Sequence, residues 1–110
     1  STAALAAPTH LTDSQYLTAV RCQALMSSAA LGKIDTGALD SLIKAERSGR
    51  VSATADRADE VRADAAREAR HAGVQEKAQL IAERGGVCQT WNEGGTTTAA
   101  AQMAQPTSAN

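Results

Sequence analysis

The sequence predicts an all-α protein: a small bundle of three to four helices stapled by one disulfide, with flexible N- and C-terminal segments. Three observations predict it. Apolar residues recur at spacings of three and four through the middle of the chain, the period of a helix. Helix start and stop signals punctuate that pattern, beginning with Thr12 and Gln15 and ending with Gly85-Gly86. Two cysteines, Cys22 and Cys88, accompany a core too thin to stand without help.

The 110 residues suffice for one domain and not for two. The organisation expected is a flexible lead over 1–11, a helical domain over 12–91 and a low-complexity tail over 92–110. The first helix opens with Thr12 as N-cap and Gln15 three positions on, a capping box. Leu11 and Tyr16 sit in the flanking staple positions. Its stop is expected near Leu31, with Gly32 supplying the C′ residue. Asp35 is the expected N-cap of the second helix, with Ile34 and Leu39 as a second staple. Leu39, Leu42 and Ile43 share one face beside the aliphatic stem of Glu46, and Gly49 ends it.

Ser52 opens the third helix. Ala58, Val61, Ala65, Ala69 and Ala72 make one narrow stripe, and the rest is charged with both signs. That composition reads as a solvated face. At Gly73 the apolar phase changes: Val74, Ala78 and Ile81 lie well over a quarter-turn from the alanine stripe. A break at Ala72–Gly73 and a fourth helix to about Arg84 are therefore expected. Val87–Trp91 follows as a short ordered segment, and the residues beyond lack the apolar content that repays ordering.

Helix 1 carries two apolar stripes. Tyr16, Leu17, Val20, Ala24, Ser28 and Leu31 form one; Ala19, Cys22, Met26 and Ala29 form the other. A helix apolar on two faces is packed on both. The expected layout puts helix 1 at the centre, helices 2 and 3 against one face, and the Cys88 segment against the other. Pairing Cys22 with Cys88 then ties the end of the fold to its first helix. Closing a loop of 66 positions is worth about 4 kcal/mol on the chain-entropy model, against a total near 5 kcal/mol for a small domain.

The cysteine pair and the leader-like start, Ser1-Thr2-Ala3-Ala4-Leu5-Ala6-Ala7-Pro8, point to export, hence a periplasmic or secreted protein. High Ala and Arg against low Lys points to a bacterial source. A net charge of −1 with interspersed signs gives no footprint for nucleic acid, and no run of about 18 apolar residues suggests a membrane span. No phosphate loop, dinucleotide fingerprint, nucleophile elbow or zinc-protease motif is present. Cys22, Cys88, His10 and His71 lack zinc spacing, and a bridged cysteine cannot serve a Cys–His nucleophile pair. Neither metal, cofactor nor small-molecule ligand is expected. Trp91, next to the disulfide and the tail, is expected to cap the bundle if buried, as large aromatics in small domains do; exposed, it is the candidate anchor for a protein partner, with the tail adding contacts. The expected function is non-enzymatic protein binding, as in an accessory subunit of an envelope assembly, the alternatives being a periplasmic stress chaperone or a small inhibitor or immunity-type protein.

Overall fold

A computed structural model of the chain describes residues 10–93; the expectations for residues 1–9 and 94–110 lie outside the described residues. Five α-helices and one 3₁₀ turn account for 79% of it: α1 Asp13–Met26, the 3₁₀ turn Ala29–Leu31, α2 Gly37–Arg47, α3 Ser52–His71, α4 Val74–Gly85 and α5 Val87–Asn92. The all-α bundle with its disulfide is thus what the chain forms.

The start of α1 follows its sequence signals. The Gln15 N–H donates to Thr12 Oγ1 at 3.1 Å, and the Thr12 N–H donates to Gln15 Oε1 at 2.8 Å. Two otherwise orphaned donors are satisfied reciprocally. Leu11 and Tyr16 are both buried, so Leu11 belongs to the core and not to a loose lead.

The stop of α1 differs from the expectation. The helix ends at Met26, because Ser27 Oγ donates to the Gln23 carbonyl at 2.7 Å and the Ile34 N–H returns to the Met26 carbonyl at 2.8 Å. Serine hydroxyls compete for backbone acceptors in this way. The 3₁₀ turn intervenes, and Gly32 adopts φ +90° directly after it, a conformation glycine takes without steric cost. Leu31 stays buried.

The N-cap position of α2 is Thr36, not Asp35. Asp35 Oδ1 instead accepts from the Gly37 N–H at 3.0 Å, an Asx-type turn. Ile34, expected to staple Leu39, is 37% exposed. The helix ends at Arg47, two residues before Gly49.

Along α3, Ala58, Ala65 and Ala69 are buried and Val61 is half-buried. This face packs on α1, the most extensive helix pair in the molecule. Small side chains allow that close approach without adding bulk. The break falls at Ala72–Gly73, as the phase change predicts, with Ala72 at ψ 134°. Gly73 has φ −77°, so no left-handed backbone is needed there.

The rotation of α4 is the main departure. Leu80 is buried, whereas Val74 is 92% and Ile81 46% exposed, and Ala78 is exposed too. The expected apolar stripe faces outward. Polar bonds account for this. Glu83 grips Arg21 of α1, and Arg84 Nη1 donates to the carbonyls of Leu31 at 3.0 Å and Gly32 at 2.8 Å. Leu80, Glu83 and Arg84 share one face at spacings of three and four, and that face is the one turned inward.

Helix α1 is central and contacts α2, α3, α4 and α5. Helix α2 also contacts α5, which the expected layout placed on the opposite face. Two apolar clusters result. Leu11, Tyr16, Val20, Leu39, Ile43 and Trp91 gather around the Cys22–Cys88 bridge, while Leu25, Leu31, Ala65, Ala69 and Leu80 form the other. The bridge has an S–S distance of 2.05 Å, and both sulfur-bearing residues are fully buried.

Candidate functional site

Trp91 lies in the core. The residue is 0% exposed, and α5 sets it beside Cys88 against α1 and α2. Among the described residues its indole Nε1 has no hydrogen-bond partner. Of the two readings the sequence leaves for Trp91, a cap of the bundle and a partner anchor, its burial matches the cap: α5 is about one and a half turns long, and Cys88 and Trp91, three apart, share its inward face.

Two polar networks tie the helices together, one buried and one about one-third exposed. In the first, Arg50 is the hub. Its guanidinium donates to Glu46 Oε1 at 2.8 Å, the Leu11 carbonyl at 2.7 Å and Asp13 Oδ1 at 2.7 Å, and its Nε donates to the Glu46 carbonyl at 3.2 Å. The guanidinium carbon sits 5.0 Å from the centre of the Tyr16 ring, within cation–π range. Glu46 Oε1 also accepts the Leu11 N–H at 3.0 Å, and His10 Nδ1 lies 3.4 Å from Oε2. Thr54 Oγ1 donates to Asp13 Oδ2 at 3.1 Å. Glu46 was read from sequence as an aliphatic stem; it is a buried carboxylate with a buried cation beside it. The network joins the entry of α1 to α2 and α3.

In the second, Arg21 clasps three helices. It donates bidentately to Glu83 at 2.8 and 3.0 Å and to Glu68 at 3.0 Å. The Glu83 hydrogen bonds push its pKa further above the ordinary arginine range, against the opposing effect of partial burial, with Glu68 adding to the rise. Both networks join helices distant in sequence.

Among the described residues no group of three or more His, Cys, Asp or Glu side chains is placed to hold a metal ion. His71 is exposed at the end of α3. No helix of the described residues is long and apolar enough to cross a membrane.

What the surface does offer is apolar area on one side. Val74, Ala78 and Ile81 line the outer face of α4, with a recess at its start beside Ala72, Gly73 and Lys77. Ile81 also lines a groove of about 270 Å³ together with Met26, Ile34, Arg84, Gln89, Asn92 and Glu93. Asn92 Nδ2 donates to the Asp35 carbonyl at 2.9 Å, and Gln89 Nε2 donates to Glu93 at 2.9 Å. This side escaped the sequence reading as a surface, because its pattern is that of a core-facing stripe. Comparison with protein-family models, curated proteins and solved structures finds no match to this chain.

Proposed function

We propose that this is a non-enzymatic, exported protein that works by binding another protein, and that the outer face of α4 is the surface it uses. The observation that carries the reading is the exposure of Val74 and Ile81 on one side of a well-formed helix. Single exposed apolar residues are ordinary; a continuous apolar face bordered by polar groups marks an interaction surface. A helix face also presents its side chains on a rigid backbone, which lowers the ordering cost of binding. The charged side of α3 is a weaker place to look. Its pairs Arg57–Glu60, Arg62–Asp59 and Arg67–Asp64 are exposed, and such pairs are worth about 0–1 kcal/mol. Support for export comes from the buried Cys22–Cys88 bridge, since disulfides persist in oxidising compartments.

The test is a pull-down from the source organism's envelope fraction with the wild-type chain and a Val74→Asp/Ile81→Asp double variant. Both positions are exposed, so the variant is expected to fold with an unchanged Tm and to lose a stoichiometric partner. A double variant that retains the partner at wild-type yield, while charge reversal on α3 loses it, overturns the choice of face.

A further inference from the structure

We infer, on the reading that the outer face of α4 binds a protein, that the element seated there is an amphipathic helix with acidic side chains on its flank. Val74, Ala78, Ile81 and Gly85 follow one another at steps of four, three and four, the spacing of a helix–helix seam. All four are exposed. Ala78 and Gly85 are small, so a second helix can approach closely between the two larger side chains. A Cβ placed on Gly85 meets nothing within 4 Å, which leaves that end of the seam open to a partner's side chain. At the other end, the recess beside Ala72, Gly73 and Lys77 holds about 400 Å³ and takes another. Among the described residues there is no strand, hence no sheet edge for an extended peptide to join.

Charge sets the flank. Lys77 and Arg84 stand on the same shoulder of the seam, seven positions and about 10 Å apart along the axis. Neither belongs to an ion pair among the described residues. Arg84 bonds the neutral carbonyls of Leu31 and Gly32, which leaves its charge uncompensated. The acidic side chains nearby in the chain are turned elsewhere: Glu76 lies over Gly73, Glu83 holds Arg21, and Glu93 accepts from Gln89. The opposite shoulder carries Gln75 and Ala82. A partner helix with carboxylates seven apart on its flank therefore meets both cations while its apolar seam covers Val74 and Ile81. A second copy of this chain fits poorly. Paired antiparallel, it sets Lys77 and Arg84 against their own counterparts, and paired parallel it offers them only Gln75 and Ala82. Because α4 presents a strip of about 18 Å, well short of a standard interface, the contact is a weak, transient one.

Two helix-constrained peptides of about four turns test this. Both carry leucine along one seam; one has glutamate and the other lysine at two flank positions seven apart. Each is titrated into the full chain while the methyl resonances of Val74, Ala78 and Ile81 are followed by NMR, with Val51, exposed before α3, as the control. The glutamate peptide is expected to shift the three α4 residues and not Val51. It is expected to bind about tenfold more tightly than the lysine peptide at low salt, the margin shrinking as salt screens it. Lys77→Glu is expected to erase that preference with an unchanged Tm. Equal affinities for the two peptides, or no shift at Val74 and Ile81 with either, overturn the inference. So does a concentration-dependent shift of these methyls in the chain alone, which assigns the face to a second copy. If Val74→Asp/Ile81→Asp loses a partner in the pull-down and Lys77→Glu keeps it at wild-type yield, the face stands and its acidic occupant falls.

Discussion

Replacing Arg50 by methionine tests whether the buried cluster at the entry of α1 holds the fold. Arg50 keeps 7% and Glu46 6% of side-chain exposure, so the pair is out of water. The substitution keeps much of the aliphatic length and deletes four hydrogen bonds: to Asp13, to the Leu11 carbonyl and two to Glu46. Glu46 is then left as a buried carboxylate with only the Leu11 N–H and His10 near it. Removing one partner of a buried ion pair costs about 3–5 kcal/mol, because the other charge stays desolvated. For a domain whose total is about 5 kcal/mol, that leaves little. Deleting both charges, as Arg50→Met/Glu46→Leu, removes the orphan charge but strands the Leu11 N–H and carbonyl, at about 1–3 kcal/mol. The double variant is therefore expected to be more stable than Arg50→Met and less stable than wild type, with a coupling energy of about 1.5 kcal/mol or more. Arg62→Ala, which breaks an exposed pair with Asp59, is the control, at no more than about 0.5 kcal/mol. Urea unfolding followed by circular dichroism, with the disulfide intact, measures these four proteins and the single variant Glu46→Leu, which closes the cycle. If Arg50→Met falls with Arg62→Ala, within about 1 kcal/mol of wild type, the cluster does not hold the entry of α1 and the reasoning fails.

Two further outcomes concern the bridge and the ring beside it. Native protein should show no thiol reactive toward a labelling reagent, and a Cys22→Ala/Cys88→Ala variant should lose about 4 kcal/mol, from closure of a loop with sequence separation 66; labelling of both cysteines without reduction would contradict the first, and an unchanged denaturation midpoint the second. Trp91→Phe should cost no more than about 1 kcal/mol, because losing ring volume is offset by removing an indole N–H that is buried without a partner, whereas Trp91→Ala should cost about 3–5 kcal/mol. A Trp91→Phe loss well above about 1 kcal/mol, measured by urea unfolding, would show that relief of the unpartnered N–H does not offset the lost ring volume.

How far the fold was legible depends on how local its signals are. The capping box at Thr12 and Gln15 involves residues three apart, and it formed as read. The alanine stripe of α3 is a repeat within one helix, and Ala58, Ala65 and Ala69 are buried. The cysteine pairing needed only the count and the compartment rule. The misread places depend on groups distant in the chain. Glu46 looked like a stem on an apolar face because its partners, Leu11 and Arg50, come from the lead and from beyond the end of α2. Trp91 could be placed on either side of the surface by composition alone; the length of α5 and the direction of Cys88 decide that it points inward.

The orientation of α4 shows why periodicity was not enough. Turning the stripe of Val74 and Ile81 inward would bury two large side chains, each worth about 1.5–3 kcal/mol, but would expose Leu80 and forfeit one such contribution. The net gain is then about one apolar side chain. Against it stand the bidentate Arg21–Glu83 pair and the two carbonyls of Leu31 and Gly32 that Arg84 satisfies. A hydrogen bond to a charged group contributes about 1.5–3 kcal/mol, and an orphaned buried carbonyl costs about 1–3 kcal/mol. Gly32 is exposed and the Arg21–Glu83 pair keeps about 30% exposure, so each bond is worth less than a buried one; the four together offset one apolar side chain, and the polar side of α4 turns inward. The carbonyls belong to a turn more than 50 positions upstream, and no pattern within α4 reveals them. One signal was present all along: Arg21 is the single charged residue of α1 after Asp13. A cation in the middle of a helix packed on every side needs a carboxylate on its neighbours, and Glu68 and Glu83 supply it.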